Sequence, residues 1–184
     1  MSLIVFTGPM YSGKTSSLIN EYEKYLHSAF KYNLLTINHV FDEKRTEKHI
    51  IKNHNNKSIK ANYSVKFLTP ILKEIDYKEA HVIFIDECQF FTDLYEFCLE
   101  SSKIKNIYVA GLCGDFKREL FGEIYKLLPI STDFIFLKSV CAFCNNIVNA
   151  PFSHRFTEEK DKIIIGSDDK YKPVCLKHFL EKNN

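Results

Sequence analysis

The sequence predicts an α/β fold in which a mainly parallel sheet is flanked by helices and followed by a small C-terminal domain. Short apolar runs rich in β-forming residues alternate with segments whose apolar residues recur at helical spacing. The run at Val82–Ile85 has no polar alternation, as in a parallel strand buried on both faces. With 184 residues, of which 45% are hydrophobic and 26% charged, the chain has room for one substantial core and a small appendage.

The first unit of the chain is a strand, a glycine-rich turn and a helix. Apolar residues 3–7 precede the pattern G-x-x-x-x-G-K-T, and three- and four-residue apolar spacing continues from Leu18 to Leu26. The pattern comprises Gly8, Pro9, Met10, Tyr11, Ser12, Gly13, Lys14 and Thr15. In this context the loop N–H groups surround phosphate oxygens, Lys14 reaches the outer phosphates, and the Thr15 hydroxyl can bind Mg²⁺. We therefore interpret the unit as a phosphate-binding loop and the sheet as P-loop NTPase-type, in preference to an incidental glycine turn.

The alternation of strands and helices continues along the chain. Residues 33–40 predict the second strand, and the polar residues 41–63 predict a surface excursion with room for a short strand near 58–61. Thr69 and Pro70 predict a helix start, with Ile71, Leu72 and Ile75 on its apolar side. Residues 106–112 and 134–140 predict the fourth and fifth strands, separated by a short helix that ends near Pro129.

An acidic pair, Asp86 and Glu87, follows the third predicted strand, which is the run at Val82–Ile85. Asp86 lies where P-loop enzymes place an acid beside the metal, so we expect it to hold Mg²⁺ through water or together with Thr15. The Glu87 side chain points in a different direction from that of Asp86, and it can accept a proton from an attacking hydroxyl or orient a water. The alternative is that these acids only solvate the end of the strand. Of the next two aromatic residues, Phe90 and Phe91, we expect one to face the core and one a ligand.

Two short motifs near the C-terminus have the spacing of metal ligands. Cys141-x-x-Cys144 and Cys175-x-x-His178 predict a closed tetrahedral Zn²⁺ site with a structural role. Such a site would fix both ends of the loop 145–174, whose residues around 162–171 suit a clasp on a small ligand. We place a domain boundary near residue 140, with a nucleotide-binding domain at 1–140 and a zinc-ribbon-like domain at 141–184.

Composition limits the partners and the location that we expect. The formal net charge of +2 does not indicate a nucleic-acid surface, although residues 44–66 are locally basic. No apolar run approaches the length of about 20 residues that a membrane span needs, so we expect no membrane association. The N-terminus has neither a charged leader nor a cleavage site, and the cysteine spacing favours metal binding over disulfides. We expect a cytoplasmic protein.

Taken together, the motifs resemble the zinc-containing thymidine kinases of the cellular, bacterial and poxvirus type. The resemblance is carried in order by G-P-M-Y-S-G-K-T, I-D-E-C-Q-F-F, G-D-F-K-R-E-L-F-G, C-A-F-C, F-S-H-R, I-I-G-S-D-D-K-Y and C-L-K-H, from about residue 3 to residue 178. It implies phosphoryl transfer from ATP–Mg²⁺ to the 5′-hydroxyl of deoxythymidine, giving dTMP. It also implies a homotetramer with feedback inhibition by dTTP.

The resemblance implies roles for particular positions. Residues 8–15 would hold the triphosphate, Asp86 the magnesium, and Glu87 would be the base on the 5′-hydroxyl. Ser153 would lie beside the thymine methyl group, residues 162–166 would form a lasso that binds the base through its backbone, and Tyr171 would close over it. The implied nucleoside contacts are Met10, Phe90, Leu112, Phe116, Phe121, Ser153, Lys162, Ile163, Ile164, Ile165, Gly166 and Tyr171. The further cofactor contacts that we assign are Gln89, Arg45 and Asp42, with Glu43 as an alternative to Asp42 at the magnesium.

Three departures from the family pattern affect the breadth of substrates rather than the reaction type. The family's acid-x-Arg-Tyr element is represented here only by residues 41–46, without the tyrosine. Cys88 stands where a small Gly or Ala is common, and residues 145–152 form a slightly longer segment than usual. Two other functions stay open: a P-loop ATPase or GTPase whose zinc module binds protein or nucleic acid, and an inactive interaction protein. The intact Lys14, Thr15, Asp86 and Glu87 disfavour the latter.

Overall fold

The computed structural model describes residues 1–41, 49–157 and 170–182. The strands within these residues are, in chain order, β1 (Ser2–Thr7), β2 (Leu34–His39), β3 (Ile50–Lys52), β4 (Ser58–Lys60), β5 (Tyr63–Val65), β6 (Val82–Ile85), β7 (Asn106–Gly111), β8 (Asp133–Phe136), β9 (Ser139–Val140), β10 (Asn149–Ala150), β11 (Phe152–Arg155) and β12 (Tyr171–Val174). The α-helices are α1 (Lys14–Leu26), α2 (Ile75–Glu79), α3 (Leu94–Ser101) and α4 (Leu176–Lys182). Short 3-10 helices span Thr69–Lys73, Cys88–Phe90 and Ile124–Ile130.

The centre of the fold is a six-stranded parallel sheet with the order β5-β2-β6-β7-β1-β8. The predicted parallel α/β sheet is confirmed. The strand β5, which lies on the outer side of β2, was not predicted, because it is only three residues long and follows a polar segment. The short strand expected near 58–61 is present as β4, which pairs with β3 in an antiparallel hairpin.

Side chains of alternating position along the central strands fill two separate cores, one on each face of the sheet. Leu3, Ile83 and Ile107 belong to the larger core, where α3 and the 3-10 helices pack. Phe6, Phe84 and Tyr108 belong to the core under α1. Since a strand alternates its side chains between faces, this double burial explains why the central strands lack polar alternation.

Two predicted elements have different bounds in the structure. The segment that begins at Thr69 is a 3-10 helix followed by the separate α2, and this break leaves the Ile75 side chain 62% exposed instead of on the apolar side. The run 134–140 is divided between β8, which pairs with β1, and β9, which pairs with β10. Between them, the N–H of Leu137 donates to the carbonyl of Thr7 over 2.7 Å, which ends the sheet next to the glycine-rich turn.

The C-terminal part has two small antiparallel sheets, β9 with β10 and β11 with β12, and the helix α4. Its apolar cluster contains Cys141, Ala150, Val174, Cys175 and Phe179, so two of the predicted metal ligands lie in this small core. None of the helices in the described ranges is both long and apolar enough to cross a membrane.

Candidate active site

The glycine-rich turn between β1 and α1 depends on its two glycines. Gly8 has φ 142°, and a Cβ atom there would lie 2.2 Å from the carbonyl oxygen of Leu137, closer than any side chain tolerates. Gly13 has φ 86°, a left-handed conformation that favours glycine, and its carbonyl accepts the N–H of Ser17 over 2.9 Å to begin α1. The turn therefore directs the N-terminus of a thirteen-residue helix toward the loop, the arrangement that binds phosphate.

The side chains of Lys14, Thr15 and Asp86 meet at this loop. Lys14 Nζ donates to the carbonyl of Pro9 over 2.7 Å, so its ammonium group lies against the loop itself. Thr15 Oγ1 donates to Asp86 Oδ1 over 3.3 Å, and Asp86 is only 4% exposed. A hydroxyl and a carboxylate in contact form a hard oxygen donor set of the kind that Mg²⁺ prefers, so these residues fit a magnesium ion.

Glu87 occupies a strained position directly after β6. Its φ of 50° and ψ of 37° place a non-glycine residue in the left-handed region. Its Oε2 accepts a 2.6 Å hydrogen bond from Gln89 Nε2, while Gln89 Oε1 accepts the N–H of Leu112 over 3.0 Å. Gln89 is 3% exposed, so this buried amide links Glu87 to the end of β7.

Two glycines allow the Gln89 side chain and backbone to pack this closely. A Cβ on Gly111 would lie 2.5 Å from Gln89 Oε1, and a Cβ on Gly122, at φ 63°, would lie 2.1 Å from the Gln89 carbonyl oxygen. Gly111 thus packs against the side-chain amide of Gln89 and Gly122 against its backbone. Both ends of the Gln89 amide are engaged within the protein, so the amide fixes the Glu87 carboxylate, and the contact of Gln89 with the cofactor stays a prediction.

Of the two adjacent phenylalanines, one lies in the core as expected, and the contact of the other with a ligand stays a prediction. Phe91 is fully buried in the larger core. Phe90 is half-buried, and its ring contacts those of His39, Phe41 and Phe121 with centroid distances of 5.3 to 5.6 Å. These rings form an aromatic wall around Phe90, which follows Glu87 closely in the sequence, and Phe121 belongs to the predicted nucleoside site.

The phosphate-binding loop contacts the C-terminal sheet β11–β12. The N–H of Met10 donates to Ser153 Oγ over 2.9 Å, and Ser153 is 6% exposed. This contact joins two residues predicted to touch the nucleoside, although 143 residues separate them in the sequence. Ser153 lies opposite Pro173 in the β11–β12 ladder, two positions from the pair Arg155 and Tyr171.

Tyr171 and Phe116, both predicted at the nucleoside, are joined by Arg155. The Arg155 guanidinium lies 3.6 Å from the centroid of the Phe116 ring. It donates to the Tyr171 hydroxyl through Nε over 2.9 Å and also through a second guanidinium nitrogen. Arg155 is 6% exposed and Tyr171 8%, so both are buried, whereas Phe116 is half-buried.

The four predicted zinc ligands form one cluster, with ligand atoms all within 4.8 Å of one another. The sulfurs of Cys144 and Cys175 are 3.9 Å apart, and His178 Nδ1 lies 3.4 to 3.5 Å from the sulfurs of Cys141, Cys144 and Cys175. On a tetrahedral zinc with bonds of about 2.0 to 2.3 Å, ligand atoms lie about 3.5 to 3.8 Å apart. The three thiols and the imidazole could therefore hold Zn²⁺.

The hydrogen bonds around Cys141 favour the thiolate that a metal requires. Burial acts to raise the pKa of this thiol, but backbone hydrogen bonds at Cys175 and Phe143 outweigh it and lower the pKa to about 6. Among the residues that the structure describes, the cluster consists of the three thiols and one imidazole that the sequence predicted, which fits a four-coordinate structural site.

The family model described as thymidine kinase matches residues 1–179 of this chain. The chain belongs to the thymidine kinase family. The thymidine kinase of fowlpox virus is 39% identical, with 97% of each chain covered. That of Choristoneura fumiferana entomopoxvirus is 38% identical over 100% of this chain and 98% of its own, and that of vaccinia virus strain Western Reserve is 35% identical over 95% and 94%. The resemblance stated from the motifs is thereby confirmed.

Several residues expected in the thymidine kinase site lie outside the described ranges. These are Asp42, Glu43 and Arg45, and the lasso residues Lys162, Ile163, Ile164, Ile165 and Gly166. The described residues nevertheless bring Met10 and Ser153 into contact, and they connect Phe116 with Tyr171 through one arginine. Sequence reasoning missed the role of Arg155, because nothing in its spacing distinguishes it from other basic residues.

Proposed function

We propose that this thymidine kinase family member transfers the γ-phosphoryl group of ATP to the 5′-hydroxyl of deoxythymidine, giving dTMP for nucleotide salvage and DNA synthesis. One observation carries the proposal: in a chain matched by the family model over residues 1–179, the phosphate loop contacts the acid at the end of β6, next to Glu87. A kinase needs these three parts at one edge of a sheet.

On the phosphate side, residues 8–15 would bind the triphosphate through main-chain N–H groups and the N-terminus of α1. Lys14, which contacts the Pro9 carbonyl, would exchange that contact for the outer phosphates. Thr15 and Asp86 would hold Mg²⁺, and bound Mg²⁺ supplies neutralisation of the charge that develops on the phosphates. Asp42 and Arg45 are proposed as further contacts on this side.

On the acceptor side, Glu87 would accept the proton of the 5′-hydroxyl as its oxygen attacks the γ-phosphorus. The bond from that phosphorus to the β–γ bridging oxygen breaks, and ADP leaves with the electron pair. The hydrogen bond from Gln89 Nε2 to Glu87 Oε2 orients the carboxylate that would receive the proton. Because Gln89 is itself fixed by the N–H of Leu112, the base is preorganised before substrate binds.

The nucleoside would lie between the aromatic wall and β11. Phe90 and Phe121 are in ring contact, and Ser153 is held by the backbone of Met10, so these groups offer a shaped site with one polar position. The proposed contacts are Met10, Phe90, Leu112, Phe116, Phe121, Ser153, Tyr171 and the backbone of residues 162–166.

The cysteine and histidine cluster would hold a structural Zn²⁺ that fixes both ends of the segment between Cys144 and Cys175. Residues 1–140 and 141–184 are proposed as the nucleotide-binding and the zinc-binding domain. We also propose a cytoplasmic homotetramer that dTTP inhibits by feedback. The tetramer and the feedback inhibition come from the family resemblance, and the cytoplasmic location comes from the sequence composition.

The test is a panel of nucleosides incubated with labelled ATP and the purified chain. We expect transfer of label to thymidine, with dTMP as the product and little ATP consumption without a nucleoside. A rate of ATP hydrolysis that does not change with added nucleoside but rises with DNA or a protein partner would refute the proposal. That result would favour a P-loop ATPase or GTPase with a zinc interaction module.

A further inference from the structure

Two arginines connect the segment after β7 to the C-terminal part of the chain. One belongs to the C-terminal part and contacts the segment, and the other belongs to the segment and contacts the C-terminal part. We call residues 112–122 the β7 loop. Arg155 of β11 places its guanidinium 3.6 Å from the centroid of the Phe116 ring in this loop. Arg118 of the loop places its guanidinium 5.0 Å from the ring of Phe179 in α4 and 5.5 Å from that of Phe152 in β11. Each side thus contributes one cation and receives the other on an aromatic face.

Hydrogen bonds within the β7 loop fix the backbone that carries the side chains of Phe116 and Arg118. Asp115 Oδ1 accepts the N–H groups of Lys117 and Glu119, each over 2.9 Å, and the Asp115 carbonyl accepts the N–H of Arg118 over 3.1 Å. Arg118 has φ 66°, a left-handed conformation that costs a non-glycine residue energy. Because Arg118 keeps this strained conformation while it contacts two aromatic rings, we infer that the loop backbone is held in a shape that positions the Arg118 side chain.

The contacts of Arg118 lead toward the metal ligands. Phe179 shares an apolar cluster with Cys141 and Cys175, and Phe152 packs against the same cluster. The contacts of Arg155 lead toward the nucleoside site, because it binds the Tyr171 hydroxyl as well as the Phe116 face. The described residues therefore form a continuous path from the zinc ligands, through both arginines, to two predicted nucleoside contacts.

We propose that Arg118 and Arg155 are positioning residues that hold Phe116 at the nucleoside site by clamping the β7 loop to the zinc-containing part of the chain. This inference rests on the proposed function. Arg118 contacts the rings of Phe152 and Phe179, which are not among the proposed substrate contacts, so its effect on the nucleoside passes through Phe116. The phosphate loop lies between β1 and α1 and contacts β11 through Ser153, so we expect ATP binding to be much less sensitive to these arginines than thymidine binding.

The test compares Arg118→Met and Arg118→Lys with the wild-type chain. Removing the cation is expected to raise the KM for thymidine about 3- to 30-fold, the range of a partly buried cation–aromatic contact. The lysine variant keeps a cation and should recover part of that loss. The KM for ATP and the zinc content should stay at wild-type values in both variants. Arg155→Lys, which loses the planar fork that binds Tyr171, should show the same selective rise.

Lys103→Met is the matched control, because Lys103 is an exposed cation paired with Glu100 on α3 and makes no part of the clamp. Its kinetics should equal those of the wild type. If Arg118→Met loses zinc, the comparison of Arg118→Lys and Arg155→Lys with the control decides the question. Unchanged thymidine KM in the arginine variants, or an equal rise in both KM values, would overturn the inference while thymidine phosphorylation by the wild type stands. A wild-type chain that phosphorylates no nucleoside would refute the proposed function, and the inference with it.

Discussion

Replacing Gln89 by methionine tests whether a buried amide prepares the catalytic base. Methionine has a similar length and volume but can neither donate to Glu87 Oε2, now 2.6 Å from Gln89 Nε2, nor accept the N–H of Leu112. The substitution therefore removes both hydrogen bonds without leaving a large cavity. Since Gly111 and Gly122 pack directly against Gln89, the surrounding backbone has little freedom to supply new partners.

The two lost hydrogen bonds have different consequences. The Leu112 N–H loses its partner in a partly buried place, which costs about 2 kcal/mol of unfolding free energy and lowers Tm by about 4 to 8 °C in a chain of this size. The bond to Glu87 is to a charged acceptor, and such bonds contribute about 1.5 to 3 kcal/mol. If that contribution is realised in the transition state, kcat falls about 10- to 150-fold with little change in either KM.

A coupled assay for ADP release measures kcat and both KM values, and thermal unfolding measures Tm. Gln89→Glu separates the two contacts, because it keeps an acceptor for the Leu112 N–H but places a second carboxylate against Glu87. It should lose more activity than stability. Glu100→Gln, on the exposed face of α3, is the control for a change of one charge. A lowered Tm with wild-type kcat in Gln89→Met would refute the positioning role of Gln89.

Three further predictions follow from the contacts of single residues. Cys144→Ser should lose zinc and weaken thymidine binding before ATP binding, as measured by metal analysis and titration calorimetry; unchanged thymidine affinity would contradict it. Asp93→Ala should lower Tm by about 4 to 8 °C with unchanged kinetics, because the carboxylate accepts the N–H groups of Leu68 and Thr69 and the Thr69 hydroxyl; an unchanged Tm would contradict it. Burial lowers the pKa of His39, so the unfolded chain binds more protons, and stability should fall as pH drops through about 6.5. His39→Phe should reduce this slope of Tm against pH, and an unchanged slope would contradict the assignment.

The parts of the fold and site that could be predicted from sequence depend on local patterns. The phosphate loop, with its Gly8, Lys14 and Thr15, is recognisable because strand, turn and helix chemistry occur within thirty residues. The cysteine and histidine pairs were predictable because metal ligands require a fixed short spacing. The apolar central strands were predictable because both faces of the sheet are buried.

The remaining features depend on contacts between distant segments, for which one sequence carries no signal. The clamp of Arg118 and Arg155, and the hydrogen bond from Leu112 to Gln89, join residues whose proximity exists only after folding. Asp93 lies at the N-cap position of α3, yet its carboxylate accepts the N–H groups of Leu68 and Thr69 instead of those of the helix. A carboxylate satisfies whichever orphan N–H groups the fold brings near, and local propensity does not reveal which these are.

The most direct test of the whole account is a single-turnover measurement of phosphoryl transfer by Glu87→Gln with labelled ATP and saturating thymidine. Glutamine preserves the size of the side chain and a contact with Gln89, but it cannot accept the proton of the 5′-hydroxyl. The rate of transfer should fall by about 10²- to 10⁴-fold, with the affinities for ATP and thymidine retained. A transfer rate close to that of the wild type would contradict the assignment of Glu87 as the base beside the phosphate loop.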